Sequence, residues 1–99
     1  KLLKANILLG AQLKLTWKIY LTDHSRKQAR KIPVFDLARI NKTIDNLEIN
    51  PFAGDIQKLE GEENVWRRRI GNYRITYEVM ISQKKVFIYE IKRRTSSTY

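Results

Sequence analysis

Cysteine is missing from this 99-residue chain, which excludes disulfides, thiolate metal ligands and a cysteine nucleophile. Histidine occurs once, at His24, and the carboxylates are scattered, so neither a structural nor a catalytic metal is expected. No apolar run approaches the roughly 20 residues that a membrane-spanning helix needs. Acid is also scarce. Ten Asp and Glu stand against twenty Lys and Arg, a formal net charge of +10. A field of that sign favours a polyanion, an acidic protein or an anionic surface as partner.

What is present describes one folded domain with a modest core. Apolar residues make up 42% of the chain and ten are aromatic, too many for a disordered segment. The positive surplus is uneven. Nine Lys and Arg against two Glu fall between Asn64 and Arg94, whereas residues 1–63 carry eleven against eight acids. The opening stretch, KLLKANILLG, is basic and apolar but too short and poorly flanked for a signal peptide. Residues 1–12 therefore read as an extension to a domain over 13–99.

Hydrophobic periodicity sets out the elements. Leu13, Leu15, Trp17, Ile19 and Leu21 alternate with Lys14, Thr16, Lys18, Tyr20 and Thr22, the period of a half-buried strand. Thr22 and Asp23 are candidate N-caps for a charged helix that Pro33 punctuates. A second helix over about 35–49 places Leu37, Ile40, Ile44 and Leu47 on one stripe. Turn chemistry at Asn50-Pro51 and Ala53-Gly54 ends it. IQKLEG then leads into VWRRRI, followed by YRITYEVMI and KVFIYEIKRR, with turns at Gly71-Asn72 and Ser82-Gln83-Lys84. The expected fold is α+β, ordered β-α-α-β-β-β, with a helical hairpin on one face of a mainly antiparallel twisted sheet.

Alternation also assigns the faces. Trp66, Arg68 and Ile70 share the core side, as do Tyr73, Ile75, Tyr77 and Val79 on the next strand and Phe87, Tyr89 and Ile91 on the last. Arg67, Arg69, Arg74, Lys92 and Arg94 then gather on the open face, a donor field suited to bidentate binding of phosphate. A solvated sheet face is the ordinary alternative, but the near absence of compensating acid argues against it. Arg68 is the exception, a packing stem whose head reaches the rim.

The segment NPFAGDIQKLEGEENVWRRRIGNYRITYEV, with its ending VFIYEIKRRTSSTY, resembles the RelE/ParE superfamily of bacterial toxins, in its RelE-like branch. The resemblance covers roughly Trp17 to Tyr99, and its most specific pieces are Lys58-Leu59-x-Gly61, Tyr73-Arg74-Ile75-x-Tyr77 and Arg93-Arg94 with Tyr99. It implies a cytoplasmic toxin of a type II toxin–antitoxin module, a metal-independent and cofactor-free endoribonuclease that cuts mRNA in the ribosomal A site. The implied partners are an acidic antitoxin, mRNA and 16S rRNA, with operator DNA reached only through the antitoxin and no membrane.

Carried over by position, Arg67 and Arg69 match the two basic strand residues of the family site. Arg74 matches the phosphate-stabilising arginine and Arg94 the C-terminal arginine beside the leaving group. Tyr99 matches a tyrosine that stacks on a base or helps proton transfer, its alternative being a frayed end. Lys58, Lys92 and Arg93 are the matching candidates for RNA contact. The family position proposed for a general base can be lysine, but this chain has Arg67 there, and arginine does not give up its proton. Glu78 and Glu90 are candidates, with pairing to nearby arginines the favoured role. His24 reads as a surface or helix-start residue rather than an acid–base group. The run Arg26, Lys27, Arg30 and Lys31 suits ribosomal RNA phosphates and a solvated face equally. Two rival functions remain open: a ParE-like toxin that inhibits DNA gyrase by binding without nuclease activity, and a degenerate member that binds only antitoxin and operator DNA.

Overall fold

The computed structural model describes residues 16–94. Residues 1–12, Leu13, Leu15 and Tyr99, on which several of the expectations above fall, lie outside that range. A short strand β1 (Lys18–Leu21) leads into helix α1 (Asp23–Arg30), and residues 31–33 connect it to helix α2 (Val34–Ile49). Four strands follow, β2 (Ile56–Lys58), β3 (Val65–Ile70), β4 (Tyr73–Met80) and β5 (Lys85–Arg93). They form one sheet in the order β1-β5-β4-β3-β2, antiparallel except where β1 runs parallel to β5. The expected order thus holds with one correction. Gln57 and its neighbours form a fifth, three-residue edge strand, too short to carry a periodic signal.

Local chemistry explains the boundaries. Thr22 caps α1, its hydroxyl accepting from the Ser25 N–H at 3.2 Å, which satisfies a free amide of the first turn. Pro33 stands at the N-cap of α2, where a missing N–H costs nothing. From the stripe of α2, Ile40 and Leu47 are fully buried and Ile44 packs against them. They meet Tyr73, Ile75, Tyr77 and Val79 of β4 and Val86, Ile88 and Ile91 of β5. Both helices lie against this side of the sheet, so among the described residues the other side is left open. No helix among the described residues is long and apolar enough to cross a membrane.

One strand departs from simple alternation. The register moves from Thr76↔Glu90 to Tyr77↔Ile88, leaving Tyr89 as an extra residue in β5. This β-bulge reverses the parity of the strand. Val86, Ile88 and Ile91 therefore face the core, while Phe87 and Tyr89 do not share that side as alternation alone predicted. Tyr89 is 40% exposed, and Phe87 stacks on Tyr20 of β1 at 5.3 Å between ring centroids. Helix α1 holds the irregular backbone in place. Ser25 Oγ donates to the Ile88 carbonyl at 2.8 Å, and Gln28 Oε1 accepts from the Ile91 N–H at 2.7 Å. The Ile88 carbonyl also accepts from the Thr22 N–H at 3.0 Å, and Gln28 satisfies the Ile91 amide beyond Leu21, where β1 ends.

Candidate active site

The arginine-bearing ends of β3 and β4 lie side by side because a two-residue turn joins them. Ile70 pairs with Tyr73, and Gly71, at φ 53°, takes the left-handed backbone the turn requires. The pairing then puts Arg69 opposite Arg74, Arg74 opposite Lys92, and Arg67 opposite Thr76 on one side and Gln57 on the other. Three cations thus stand in a row across three strands. Arg94 is drawn in from the end of β5, its N–H donating to the Asn72 carbonyl and its Nη1 to the Gly71 carbonyl at 3.4 Å.

Arg67, Arg69, Arg74 and Arg94 line one small cavity of about 50 Å³, together with Asp55 and Gln57. Among the described residues none of these four guanidiniums pairs with a carboxylate. Their donors are available to a ligand, and a field of unpaired guanidiniums is matched by an anion such as a phosphodiester. Gln57 and Arg67 also line a wider groove of about 890 Å³ with Lys58, Leu59, Glu60 and Glu62. That groove is larger but sets two acids against two cations, whereas the small cavity sets four arginines against one acid.

The other expected RNA-binding and acid–base residues are distributed differently. Lys58 is in register with Trp66, placing it on the opposite side of the edge strand from Gln57, although it borders the wider groove. Lys92 is exposed and opposite Arg74. Arg93 is opposite Tyr73, the helix side, and borders a separate depression with Gln28, Lys31 and Lys92. Glu78 requires a correction: it accepts a hydrogen bond from the Tyr89 hydroxyl rather than pairing with an arginine. That bond, more than burial, pushes the Tyr89 phenol upward. Nor does Glu90 pair with an arginine among the described residues. His24 is exposed in the first turn of α1.

Asp55 is the residue that sequence patterns missed. It sits between turn 50–54 and the short β2, where no periodicity operates, and the only signal was an acid following Gly54 just before the basic strands. The turn itself is held from several sides. Tyr77 Oη donates to the Pro51 carbonyl at 2.6 Å, and Arg68 Nη1 donates to the Ala53 carbonyl at 3.0 Å. Phe52 packs edge-on between Trp17 and Trp66, at 6.1 and 5.7 Å. The Arg69 N–H donates to the Asp55 carbonyl at 3.0 Å. Arg68 accordingly leaves β3 on the core side, as alternation predicts, and its head lies over Gly54, where a Cβ would collide with it. Burial raises the Tyr77 hydroxyl to about 12, with the Arg68 charge acting the other way.

A family model described as the ParE toxin of type II toxin–antitoxin systems, parDE, matches residues 18–97. A toxin RelE1 of Methanocaldococcus jannaschii is 32% identical over 71 residues, spanning 69% of this chain and 79% of that protein. The RelE chain in the RelE–RelB complex of Pyrococcus horikoshii superimposes with a TM-score of 0.74 at 28% identity, covering 83% of this chain and 99% of that one. The isolated RelE toxin of Escherichia coli gives a TM-score of 0.73 over 82% of this chain and 87% of that chain. At 18% identity, that second likeness speaks for the fold alone.

Proposed function

The chain belongs to the ParE toxin family of type II toxin–antitoxin systems, within the RelE/ParE superfamily, and from that premise we propose that it is a ribosome-dependent endoribonuclease. The observation that carries this reading is the cavity in which Arg67, Arg69, Arg74 and Arg94 converge without carboxylate partners among the described residues. When a 2′-hydroxyl attacks the adjacent phosphate, negative charge grows on the phosphorane oxygens and on the departing 5′-oxygen. Guanidiniums gathered at one place by the strand register stabilise that charge at the point where it develops, which is where electrostatic catalysis has its largest effect.

In this scheme Arg69 and Arg74, facing one another across β3 and β4, grip the phosphate, Arg67 extends the grip towards the groove, and Arg94 serves the leaving oxygen. Lys92 and Lys58 steer the message, Arg93 contributes from the helix side, and Tyr99 stacks on a base. The complex of the Pyrococcus relative with RelB supports an antitoxin as partner, and the basic face of this chain calls for an acidic one. In the cell the substrate is mRNA in the ribosomal A site, and operator DNA is met only through the antitoxin.

The ParE description of the matching family model favours one second reading, inhibition of DNA gyrase by binding. One experiment separates the two. The toxin is added to a translating extract, message 5′ ends are mapped by primer extension, and plasmid supercoiling by gyrase is assayed in parallel. New 5′ ends on translated message with normal supercoiling support the nuclease. Intact message with loss of supercoiling supports the rival.

A further inference from the structure

We propose that the Asp55 carboxylate is the proton acceptor for the attacking 2′-hydroxyl, an inference that rests on the nuclease reading. Of the six described residues that line the cationic cavity, Asp55 is the only one able to take up a proton. The four arginines stay protonated under essentially all conditions, and a glutamine amide is not a base. Glu78 is occupied by the Tyr89 hydroxyl on another part of the open face. Among the described residues Asp55 forms no ion pair with the arginines around it, so its oxygens are not committed to a counter-ion role.

Position supports the assignment as strongly as composition does. A general base has to be held within hydrogen-bond reach of the proton it removes, and a carboxylate on a loose turn would not be. Here the turn leading to Asp55 is clamped by Tyr77 at Pro51, by Arg68 at Ala53 and by the two tryptophans around Phe52. The Asp55 carbonyl is itself tied to the Arg69 N–H at 3.0 Å. The same residue of β3 therefore presents a guanidinium to the cavity and anchors the backbone of the base. Arg68, which touches no substrate in this scheme, is a positioning residue acting through Ala53 and Gly54.

The step balances within these groups and water. The 2′-hydroxyl proton passes to the Asp55 carboxylate as the O2′–P bond forms. The P–O5′ bond breaks, and the 5′-oxygen leaves with a proton from solvent. A 2′,3′-cyclic phosphate and a 5′-hydroxyl result, and the carboxylic acid returns its proton to water.

The test is single-turnover cleavage of message on programmed ribosomes by the full chain, with affinity for a short RNA and the melting temperature measured beside it. Asp55→Asn should slow cleavage by about 10²–10⁴-fold, the usual contribution of a general base, with RNA binding unchanged or tighter because a negative charge is removed. Asp55→Ser is a second variant in case the first does not fold. If either variant melts like wild type and cleaves within about threefold of it, the carboxylate is only a counter-ion and the proposal is overturned. Failure of the nuclease reading is distinguishable, because wild type itself then leaves the message intact, and the proposal falls with it.

Discussion

Arg69 and Arg74 are direct register partners on adjacent antiparallel strands, two guanidinium-bearing side chains at one rung of the ladder, and Lys92 extends the row on the other side of Arg74. Like charges placed opposite one another destabilise a sheet by about 0.2–1 kcal/mol per pair. A chain selected only to fold would not stack three cations across three strands. The arrangement therefore predicts a trade between stability and activity. Arg74→Thr should raise the urea midpoint, by an amount equivalent to about 0.5–1 kcal/mol, while abolishing cleavage. An Arg74→Thr protein that is less stable than wild type would show that the row supports the sheet.

Affinity for RNA should depend steeply on salt, because each neutralised phosphate releases counter-ions. For single strands the slope of log K against log salt changes by about 0.7 for each phosphate that is no longer neutralised. Arg67→Ala should flatten the slope by roughly that amount, and Arg68→Ala should leave it unchanged, since the Arg68 head lies over Gly54 and bonds Ala53. Titration of a labelled oligonucleotide at several salt concentrations checks both.

The bond from Tyr77 to the Pro51 carbonyl is buried. Tyr77→Phe leaves that acceptor without a partner, so it should cost about 1–3 kcal/mol in denaturant unfolding. A pH effect accompanies it. Burial holds the folded Tyr77 hydroxyl at about 12, above the ordinary value near 10. The unfolded chain then loses this proton first, so the contribution to stability is intact below about pH 10 and lost as pH rises towards 12. The phenols of Tyr73 and Tyr89 are raised as well and act in the same direction. Stability of Tyr77→Phe should fall less steeply across that window than wild type.

Gly54 has a φ of 93°, and a Cβ there would run into the Arg68 guanidinium. Gly54→Ala should therefore strain the backbone, by about 1–2 kcal/mol for an L-residue forced into that region, and displace Arg68 from Ala53. Both effects loosen the turn that carries Asp55. The expected result is a lower melting temperature together with a fall in cleavage rate at saturating message, without a matching loss of RNA affinity.

Much of this was legible in the chain itself, for identifiable reasons. Strict alternation in YRITYEV and VWRRRI put Arg67, Arg69 and Arg74 on one face, and strands joined by a two-residue turn hold their register tightly. The stripe of Ile40, Ile44 and Leu47 likewise located α2 to within a residue. What could not be seen depended on neighbours distant in sequence. The bulge that turns Phe87 and Tyr89 outward is held by Ser25 and Gln28 of α1, sixty-three residues from their partners. No local pattern encodes such a partnership. Asp55 was invisible for a related reason, since a turn residue has no period and only the folded sheet brings it beside four arginines.

The most direct test of the account is the rate of message cleavage on programmed ribosomes by wild type and by Arg74→Ala, measured under single-turnover conditions. The account predicts discrete cuts with wild type and a loss of about 10²–10³-fold on removal of one preorganised donor, in a variant that still folds. Cleavage by Arg74→Ala at the wild-type rate, or intact message with both proteins, would contradict it.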